Sequence, residues 1–476
     1  MTGKPDSLTL PAPLAAPHLA GILGDGQSAL AALLRHDGAD VSGCDIGGKR
    51  GNEKQGTLRD HLAQLGIPIS AGHNPAHLPD GMTALVYSAA IPAGHAELDA
   101  ARRLGVPVLR RHQALSLYAS LFGQVVAVAG GAGKTSTSAV LAAILTAGSW
   151  HPTVYLGARS PNLEDRNYRH GQRRLLIAEA DEYRDAFLDL PRNVGILGPV
   201  MDYDHRDYFG PGRPVTESFT AFAVGLDLAV ADADSPAALQ AARAARSVIS
   251  VGTSPDAGYR ITNIQPAQDS WRIEDRHGHT VLDLHAPHRG PALHLNASRA
   301  AITALELGVP AQAIQEGISS YRGVSRRMEL RHSRSGVLML DDYAHNPAQI
   351  TALARALRGY YPGRRLIAVF EPRQHRRTVM FTAEFGQSLA AFDACLLLPI
   401  SPGLGDEQYG QHASLALLAG AAVSHGQLQV VTCAGYDDAA QTLAGMTRAG
   451  DVVVSFGTGS PYLVLDRVAA AASAAS

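Results

Sequence analysis

The sequence predicts an α/β protein of three domains. Strand-like apolar segments alternate with helix-like segments from His18 almost to the end of the chain, a pattern typical of α/β sheets with helices on their faces. Glycine-rich turns follow several of these strands, which is where α/β folds bind phosphate groups. A chain of 476 residues is long enough for roughly two to four domains. We place the three domains at residues 1–121, 122–325 and 326–476.

The composition excludes several classes of protein. Hydrophobic residues make up 46% of the chain and charged residues 18%, and the net charge is −2, so neither a nucleic-acid partner nor general disorder is indicated. No apolar run is long enough to cross a bilayer, and the N-terminus lacks the pattern of a secretory signal. The three cysteines lie far apart, which argues against a disulfide framework. We therefore expect a cytoplasmic protein without a membrane partner.

The first domain begins with a strand, a glycine-rich turn and a helix. The turn spans Gly21–Ser28, and the next strand, Val41–Asp45, ends on an acidic residue. Such a unit places a phosphate at the helix N-terminus and a ribose or base near the acid. The glycine spacing differs from that of dinucleotide-binding proteins, so a purely structural turn stays an open alternative. Further strands are expected at 84–88 and 106–109.

The second domain opens with the strongest motif of the chain. The apolar strand Val125–Ala129 runs into a loop and a helix, the layout in which backbone N–H groups surround phosphate oxygens. Lys134 would reach the outer phosphates of a nucleotide and the Thr135 hydroxyl would bind Mg²⁺. The strict motif has a glycine where this chain has Val128, and the alternative is a glycine-rich turn without a ligand. The candidate phosphate-binding residues are Gly130, Gly131, Ala132, Gly133, Lys134, Thr135 and Ser136.

Acidic residues and a histidine follow neighbouring strands of the same domain. The apolar segment 175–178 ends in Glu179, Asp181 and Glu182, and a later strand at 194–197 leads to His205. Carboxylates at this end of a parallel strand are well placed to hold Mg²⁺ beside a phosphate loop. A solvated acidic turn and a structural histidine are the alternatives. Farther along, Asn296 is expected to open a helix.

These segments together resemble the Mur ligases, ATP-dependent enzymes that form amide bonds in peptidoglycan precursors, in the branch that acts on UDP-N-acetylmuramate. The resemblance runs from His18 to about Leu465. Its motifs lie at residues 21–28, 42–45, 88–91, 129–135, 179–182, 204–205, 326–328, 341–347 and 377–378.

The resemblance implies a Rossmann-like N-terminal domain that binds the UDP-sugar, a central ATPase domain with the phosphate loop, and a Rossmann-like C-terminal domain that closes over ATP and the amino acid. It implies a carboxylate activated by ATP as an acyl phosphate, with Lys134, Glu179 and His205 as the catalytic set. Thr135, Glu179 and His205 would surround Mg²⁺. The implied nucleotide contacts are Asn296, Arg327 and Asp342, and the implied substrate contacts are Gly24, Gly26, Ser28, Asp45, Ser88, Glu182, His345 and Arg377.

Two alternatives concern the reaction. Addition of L-alanine is favoured by the general motif set, whereas Tyr183 and the segments 326–331 and 370–373 resemble the ligase that reattaches a recycled tripeptide. The phosphate loop carries Gly131 and Ala132 where the family usually has Thr and His. A diverged, non-catalytic nucleotide-binding protein is therefore a further alternative. A monomer or weak homodimer is expected.

Overall fold

A computed structural model describes residues 9–47, 53–88, 90–92, 94–201, 214–287, 290, 292–402, 406, 409–410, 413–426 and 429–474. The chain forms two compact units. The first comprises residues 1–262, 272–284 and 295–322, and the second comprises residues 263–271, 285–294 and 323–476. Three separate sheets are present, which confirms the predicted α/β class.

The first sheet has five parallel strands in the order β3-β2-β1-β4-β5. The central strand β1 lies between β2 and β4, and the strand order runs outward in opposite directions on its two sides. The sheet therefore has a topological switch point at the carboxyl end of β1. The strands are β1 Pro17–Ala20, β2 Ser42–Asp45, β3 Ile69–Ala71, β4 Ala84–Tyr87 and β5 Val108–Arg110, and the helices are α1 Asp25–His36, α2 Glu53–Gln64, α3 Ala96–Arg103 and α4 Arg111–Ala119.

The second sheet has ten strands in the order β15-β14-β13-β12-β11-β10-β6-β9-β7-β8. Strands β7 to β13 are parallel apart from β8, which pairs antiparallel with β7. The strands are β6 Gln124–Ala129, β7 Pro152–Ser160, β8 Arg166–Arg169, β9 Gln172–Glu179, β10 Val194–Leu197, β11 Leu228–Asp232, β12 Val248–Gly252, β13 Tyr259–Gln265, β14 Ser270–Asp275 and β15 Thr280–His285. The helices of this region are α5 Lys134–Ala147, α6 Val215–Ala223, α7 Pro236–Ala242, α8 Leu293–Glu306 and α9 Ala311–Ser319.

The third sheet has six strands in the order β16-β17-β21-β18-β19-β20, and only β16 runs antiparallel to its neighbour. The strands are β16 Glu329–Arg334, β17 Val337–Asp342, β18 Leu366–Glu371, β19 Ala394–Leu397, β20 Gln429–Thr432 and β21 Val452–Gly457. The helices are α10 Pro347–Tyr360, α11 His375–Met380, α12 Thr382–Leu389, α13 Leu415–Ser424, α14 Tyr436–Met446 and α15 Tyr462–Ala474. Short 3-10 helices lie at Ala12–Leu14, Pro75–His77, Pro161–Leu163, Tyr183–Asp189 and Pro266–Gln268.

The buried strands explain why the fold could be predicted. Strands β6, β10 and β18 are almost entirely buried, as expected for strands with helices on both faces. One detail was wrong: Asn296 does not open a helix, because α8 already begins at Leu293. Within the part of the chain that the structure describes, no helix has the length and apolarity needed to span a membrane.

Candidate active site

The phosphate loop joins strand β6 to helix α5 in a conformation that favours glycine. Gly130 and Gly133 have φ angles of +142° and +80°, values that residues with a side chain rarely adopt. A Cβ atom on Gly130 would lie 2.8 Å from the Gly198 backbone, and one on Gly133 would overlap the side chain of Asn296. The loop is therefore packed between two neighbouring segments. Its amides meet the N-terminus of α5, where an anion is favoured.

Lys134, the first residue of α5, is held inside the loop by an acidic partner. Its Nζ donates hydrogen bonds to the Gly130 carbonyl oxygen at 2.7 Å and to the Glu182 carboxylate at 2.9 Å. The two side chains are 17% and 3% exposed. Burial alone would lower the pKa of Lys134, but Glu182 and Asp181 outweigh it and raise this pKa. Lys134 is therefore a stable cation at the place where nucleotide phosphates would lie.

Thr135 and Glu179 form a pair of oxygen donors beside that cation. The Thr135 hydroxyl donates to Glu179 Oε1 at 2.9 Å, and Glu179 Oε2 accepts from the Gly157 amide at 2.8 Å. Hydroxyl and carboxylate oxygens are the ligands that Mg²⁺ prefers, so this donor set fits the ion. Ser136 follows in the first turn of α5 and is half-buried. His205, the third predicted ligand, lies outside the described residues.

Asn296 lies against the phosphate loop because a buried ion pair holds it there. Arg299 Nη2 donates to Asn296 Oδ1 at 2.9 Å, and Arg299 Nη1 lies 2.9 Å from Asp232 Oδ2. Arg299 is 2% exposed, and no sequence motif pointed to it. Its only sequence signal is its position one helical turn after Asn296, on the same helix face.

The predicted UDP-contact residues gather at the carboxyl end of the first sheet. Gly24 precedes α1 and Gly26 lies in its first turn. Asp45 ends β2 and accepts hydrogen bonds from the amides of Leu23 and Gly47 at 2.8 and 2.7 Å. These bonds fix the glycine-rich turn against β2, so the acid has a structural role in addition to any ligand contact.

Two hydroxyls from the same prediction have different surroundings. Ser28 is buried, and its hydroxyl donates to the Asp25 carbonyl oxygen and contacts Asn167 Nδ2 at 3.2 Å. Ser88 lies just after β4, is half-buried and accepts from the Ala90 amide at 3.3 Å. Only Ser88 combines exposure with a position at the switch point. Substrate contact by either residue stays a prediction.

A hydrogen-bonded group around Arg111 lies at the start of α1, and the sequence motifs did not predict it. Arg111 Nη1 donates to the Tyr155 hydroxyl at 2.5 Å, and Arg111 Nη2 donates to Asp181 at 3.3 Å. The Tyr155 hydroxyl donates to the Gly26 carbonyl oxygen at 3.1 Å. A Cβ on Gly26 would overlap Arg111. Arg111 therefore links the glycine-rich turn to the acidic segment that carries Glu179.

In the second unit, two adjacent acids at the end of β17 order the following turn. Asp341 pairs with Arg326 Nε at 2.9 Å and accepts from Ser455 at 2.7 Å, and burial raises the pKa of Asp341 to about 6. Asp342 accepts from the amides of Met328 and Ala344 at 2.9 and 2.8 Å. Burial also raises the pKa of Asp342. The two carboxylates thus bind the segment that contains Arg326 and Met328 and the turn that contains Ala344.

The remaining predicted residues of this unit lie on that turn or on a separate helix. The Arg327 guanidinium lies 5.1 Å from the centre of the Tyr343 ring, and the His345 ring packs edge-on against Tyr343 at 5.4 Å. The structure therefore brings Arg327 and His345 together around one aromatic side chain. Arg377 lies on α11 and is half-buried. Their predicted contacts with nucleotide and amino acid stay predictions.

Comparison with known proteins decides the family. A UDP-N-acetylmuramate–L-alanine ligase of Kineococcus radiotolerans is 38% identical over 455 residues, which cover 93% of this chain and 93% of that protein. The chain belongs to the Mur ligase family. Residues 17–122 match the model "Mur ligase family, catalytic domain", and residues 326–459 match "Mur ligase, glutamate ligase domain".

Solved Mur ligases share the fold. The UDP-N-acetylmuramate–alanine ligase MurC of Thermotoga maritima has a TM-score of 0.79 and 22% identity, covering 97% of this chain and all of that one. A murein peptide ligase of Psychrobacter arcticus has a TM-score of 0.71 and 21% identity, covering 96% and 98%. The predicted resemblance to Mur ligases, including their three-domain fold, is confirmed.

Proposed function

We propose that this Mur ligase uses ATP to join the lactyl carboxylate of UDP-N-acetylmuramate to the amino group of L-alanine. The observation that carries the proposal is the 38% identity, over 93% of both chains, to a ligase that bears this activity in its name. A paired lysine and a threonine–glutamate pair at the phosphate loop supply the charges that such a reaction requires. The reaction belongs to cell-wall precursor synthesis, and we infer a cytoplasmic enzyme that is a monomer or weak homodimer.

The first chemical step is transfer of the γ-phosphoryl group of ATP to the carboxylate. Both reactants are anionic, so the transfer needs positive charge close to the phosphates. Lys134 supplies it at the N-terminus of α5. The Glu182 carboxylate lies 2.8 Å from its Nζ. We infer that phosphate oxygens replace part of this contact when ATP binds, and that Glu182 keeps Lys134 aimed at the loop.

Magnesium would be held by Thr135 and Glu179, whose oxygens lie 2.9 Å apart, with His205 as the third predicted ligand. When bound, the ion neutralises phosphate charge during transfer. Glu179 is oriented for this role by the Gly157 amide. The acyl phosphate then reacts with the amine of alanine, the C–N bond forms through a tetrahedral intermediate, and inorganic phosphate leaves.

The other residues are proposed to position the three substrates. Gly24, Gly26, Asp45 and Ser88 would bind the UDP-sugar at the switch point of the first sheet, with Ser28 supporting α1. Asn296, Arg327 and Asp342 would bind the nucleotide, and His345 and Arg377 would face the amino acid. We keep the domain limits 1–121, 122–325 and 326–476 for these three roles.

The experiment is an assay of ADP release with purified protein, UDP-N-acetylmuramate and either L-alanine or the recycled tripeptide. We expect release that requires both the UDP-sugar and L-alanine, with a much higher kcat/KM for L-alanine than for the tripeptide. Preference for the tripeptide would assign the chain to the recycling reaction. ATP binding without any substrate-dependent ADP release would assign it to the non-catalytic class.

A further inference from the structure

A second cluster of metal-binding side chains lies in the first sheet, away from the phosphate loop. Cys44 is on strand β2, His73 follows β3, and Glu97 is in the first turn of α3. Cys44 Sγ lies 3.2 Å from His73 Nδ1 and 3.4 Å from Glu97 Oε2, and His73 Nδ1 lies 3.1 Å from the same Glu97 oxygen. The three donor atoms form a nearly equilateral triangle. We call these three residues the Cys44 cluster.

The carboxylate of this cluster is unusually deep in the protein. The Glu97 side chain is 0% exposed, and burial of a carboxylate costs several kcal/mol unless a positive charge or several hydrogen bonds compensate. Its partners within the described residues are the Cys44 thiol, His73 and the Asn74 amide at 2.8 Å, with His95 at 3.8 Å. No lysine or arginine is among them. A positive charge at the centre of the triangle would balance this carboxylate.

Two further imidazoles near the cluster have buried nitrogen atoms without a hydrogen bond. His18 is 1% exposed, and its Nδ1 contacts Ser42 Oγ at 2.8 Å. Among the residues that the structure describes, neither its other nitrogen, Nε2, nor His77 Nδ1 has a hydrogen-bond partner. The His18 ring lies close enough to His77 and to Glu97 for their charges to interact. Unsatisfied buried polar atoms are uncommon and often indicate a bound water or ion.

We propose that Cys44, His73 and Glu97 bind a transition-metal ion of the zinc type. Tetrahedral Zn²⁺ with sulfur, nitrogen and oxygen ligands requires donor atoms about 3.3–3.6 Å apart. The separations of 3.1 to 3.4 Å need to widen by at most a few tenths of an ångström. The mixed thiol, imidazole and carboxylate set also fits Zn²⁺ better than Mg²⁺, which prefers oxygen ligands alone.

Binding of Zn²⁺ would connect three elements that are distant in the sequence. The ion would link β2, the segment after β3 and the start of α3, on the face of the sheet where Ala20, Leu85 and Leu98 are buried. The Cys44 thiol would lose its proton to solvent on binding, since the thiolate is the ligand. The site is independent of the phosphate loop, so this inference does not rest on the proposed ligase activity.

The test is titration of the full-length, chelator-treated protein with Zn²⁺, and separately with Co²⁺ as a spectroscopic probe, in excess Mg²⁺. We expect one equivalent of Zn²⁺ to bind, a thiolate-to-cobalt charge-transfer band, and tighter binding as pH rises. Cys44→Ala and Glu97→Gln should each weaken binding at least 100-fold and Cys44→Ala should abolish the band. The matched control is Cys433→Ala, which removes a buried thiol of the other unit and should leave binding unchanged.

Thermal unfolding of the unaltered protein gives a readout that needs no variant. Because Zn²⁺ binds the folded chain, we expect the melting temperature to rise and to level off at one equivalent. Absence of both the thiolate band and this rise would overturn the proposal and leave the three residues as a hydrogen-bonded network. Equal affinity in the Cys44→Ala variant and the unaltered protein would overturn it as well.

Discussion

Replacement of Lys134 by alanine tests both the proposed catalytic role of its charge and its structural role in the phosphate loop. The substitution removes the cation that contacts Glu182 at 2.8 Å and the Gly130 carbonyl oxygen at 2.7 Å. Loss of one preorganised electrostatic group typically lowers kcat by about 10²–10³-fold. Because Lys134 is proposed to place a full charge at the transferring phosphate, we expect a loss of at least about 10³-fold.

The stability effect follows from the burial of Glu182, which is 3% exposed. Removing one member of a buried pair typically costs about 3–5 kcal/mol, because the other charge stays desolvated. Lys134 is partly exposed, and Glu182 can take up a proton, so we expect about 3 kcal/mol. A Lys134→Ala, Glu182→Gln double variant carries no buried charge at this place, and it should recover most of that stability without recovering activity.

Both quantities are measured on the same three proteins. Steady-state ADP release gives the activity, and thermal unfolding gives the stability, with about 3 kcal/mol corresponding to roughly 6–12 °C for a domain of this size. Recovery of activity in the double variant would refute the assignment of Lys134 to phosphoryl transfer. A Lys134→Ala variant that melts like the unaltered protein would refute the argument from the buried pair.

Three other predictions test the loop, the metal donors and the second unit. Gly133→Ala should weaken ATP binding, measured by calorimetry, at least about 10-fold, because φ is +80° and the new Cβ overlaps Asn296. Gly225 has a similar φ of +84°, and a Cβ there would meet no atom within 4 Å. Gly225→Ala is therefore the control for backbone strain alone. Thr135→Val should raise the Mg²⁺ concentration for half-maximal ADP release at least about 10-fold, and an unchanged requirement would exclude the hydroxyl as a ligand. Burial raises the pKa of Asp341 from 3.8 to about 6, so the folded chain binds more protons than the unfolded chain between these values. Stability should therefore fall as pH rises through this window, by up to about 3 kcal/mol, and pH-dependent urea unfolding should show a smaller fall in Asp341→Asn.

Local patterns were sufficient to predict the fold and the phosphate loop. Apolar strands that end in glycine or acidic residues have one common arrangement in parallel sheets, because their carboxyl ends meet along one edge. Lys134 could therefore be predicted to lie near Glu179 and Glu182, although it is far from them in the sequence. Strands β14 and β15 also follow from a local pattern, because the alternation of apolar and polar residues is interrupted at Gly278, where the chain turns.

Residues that act through long-range packing could not be found in this way. Arg111 contacts Tyr155 and Asp181, which lie 44 and 70 positions away, and no spacing rule connects these segments. Arg299 pairs with Asp232 across a similar distance. Arginine is seldom fully buried, so both residues would be predicted from the sequence to lie on the surface. Only the tertiary structure shows that Arg299 is buried and that Arg111, at 24% exposure, is held by these hydrogen bonds.

The hydrophobic core of the first unit has a consequence for how such chains can diverge. Leu30 and Leu33 of α1 belong to the same buried cluster as Tyr155, Tyr168 and residues of the second sheet. A cut at residue 121 would therefore expose apolar area on both fragments. Exchange of residues 1–121 between homologous enzymes should succeed only when the matching surface of the second sheet is transferred with them. New substrate specificity is then easier to acquire through the loops at the sheet edge than through recombination of whole domains.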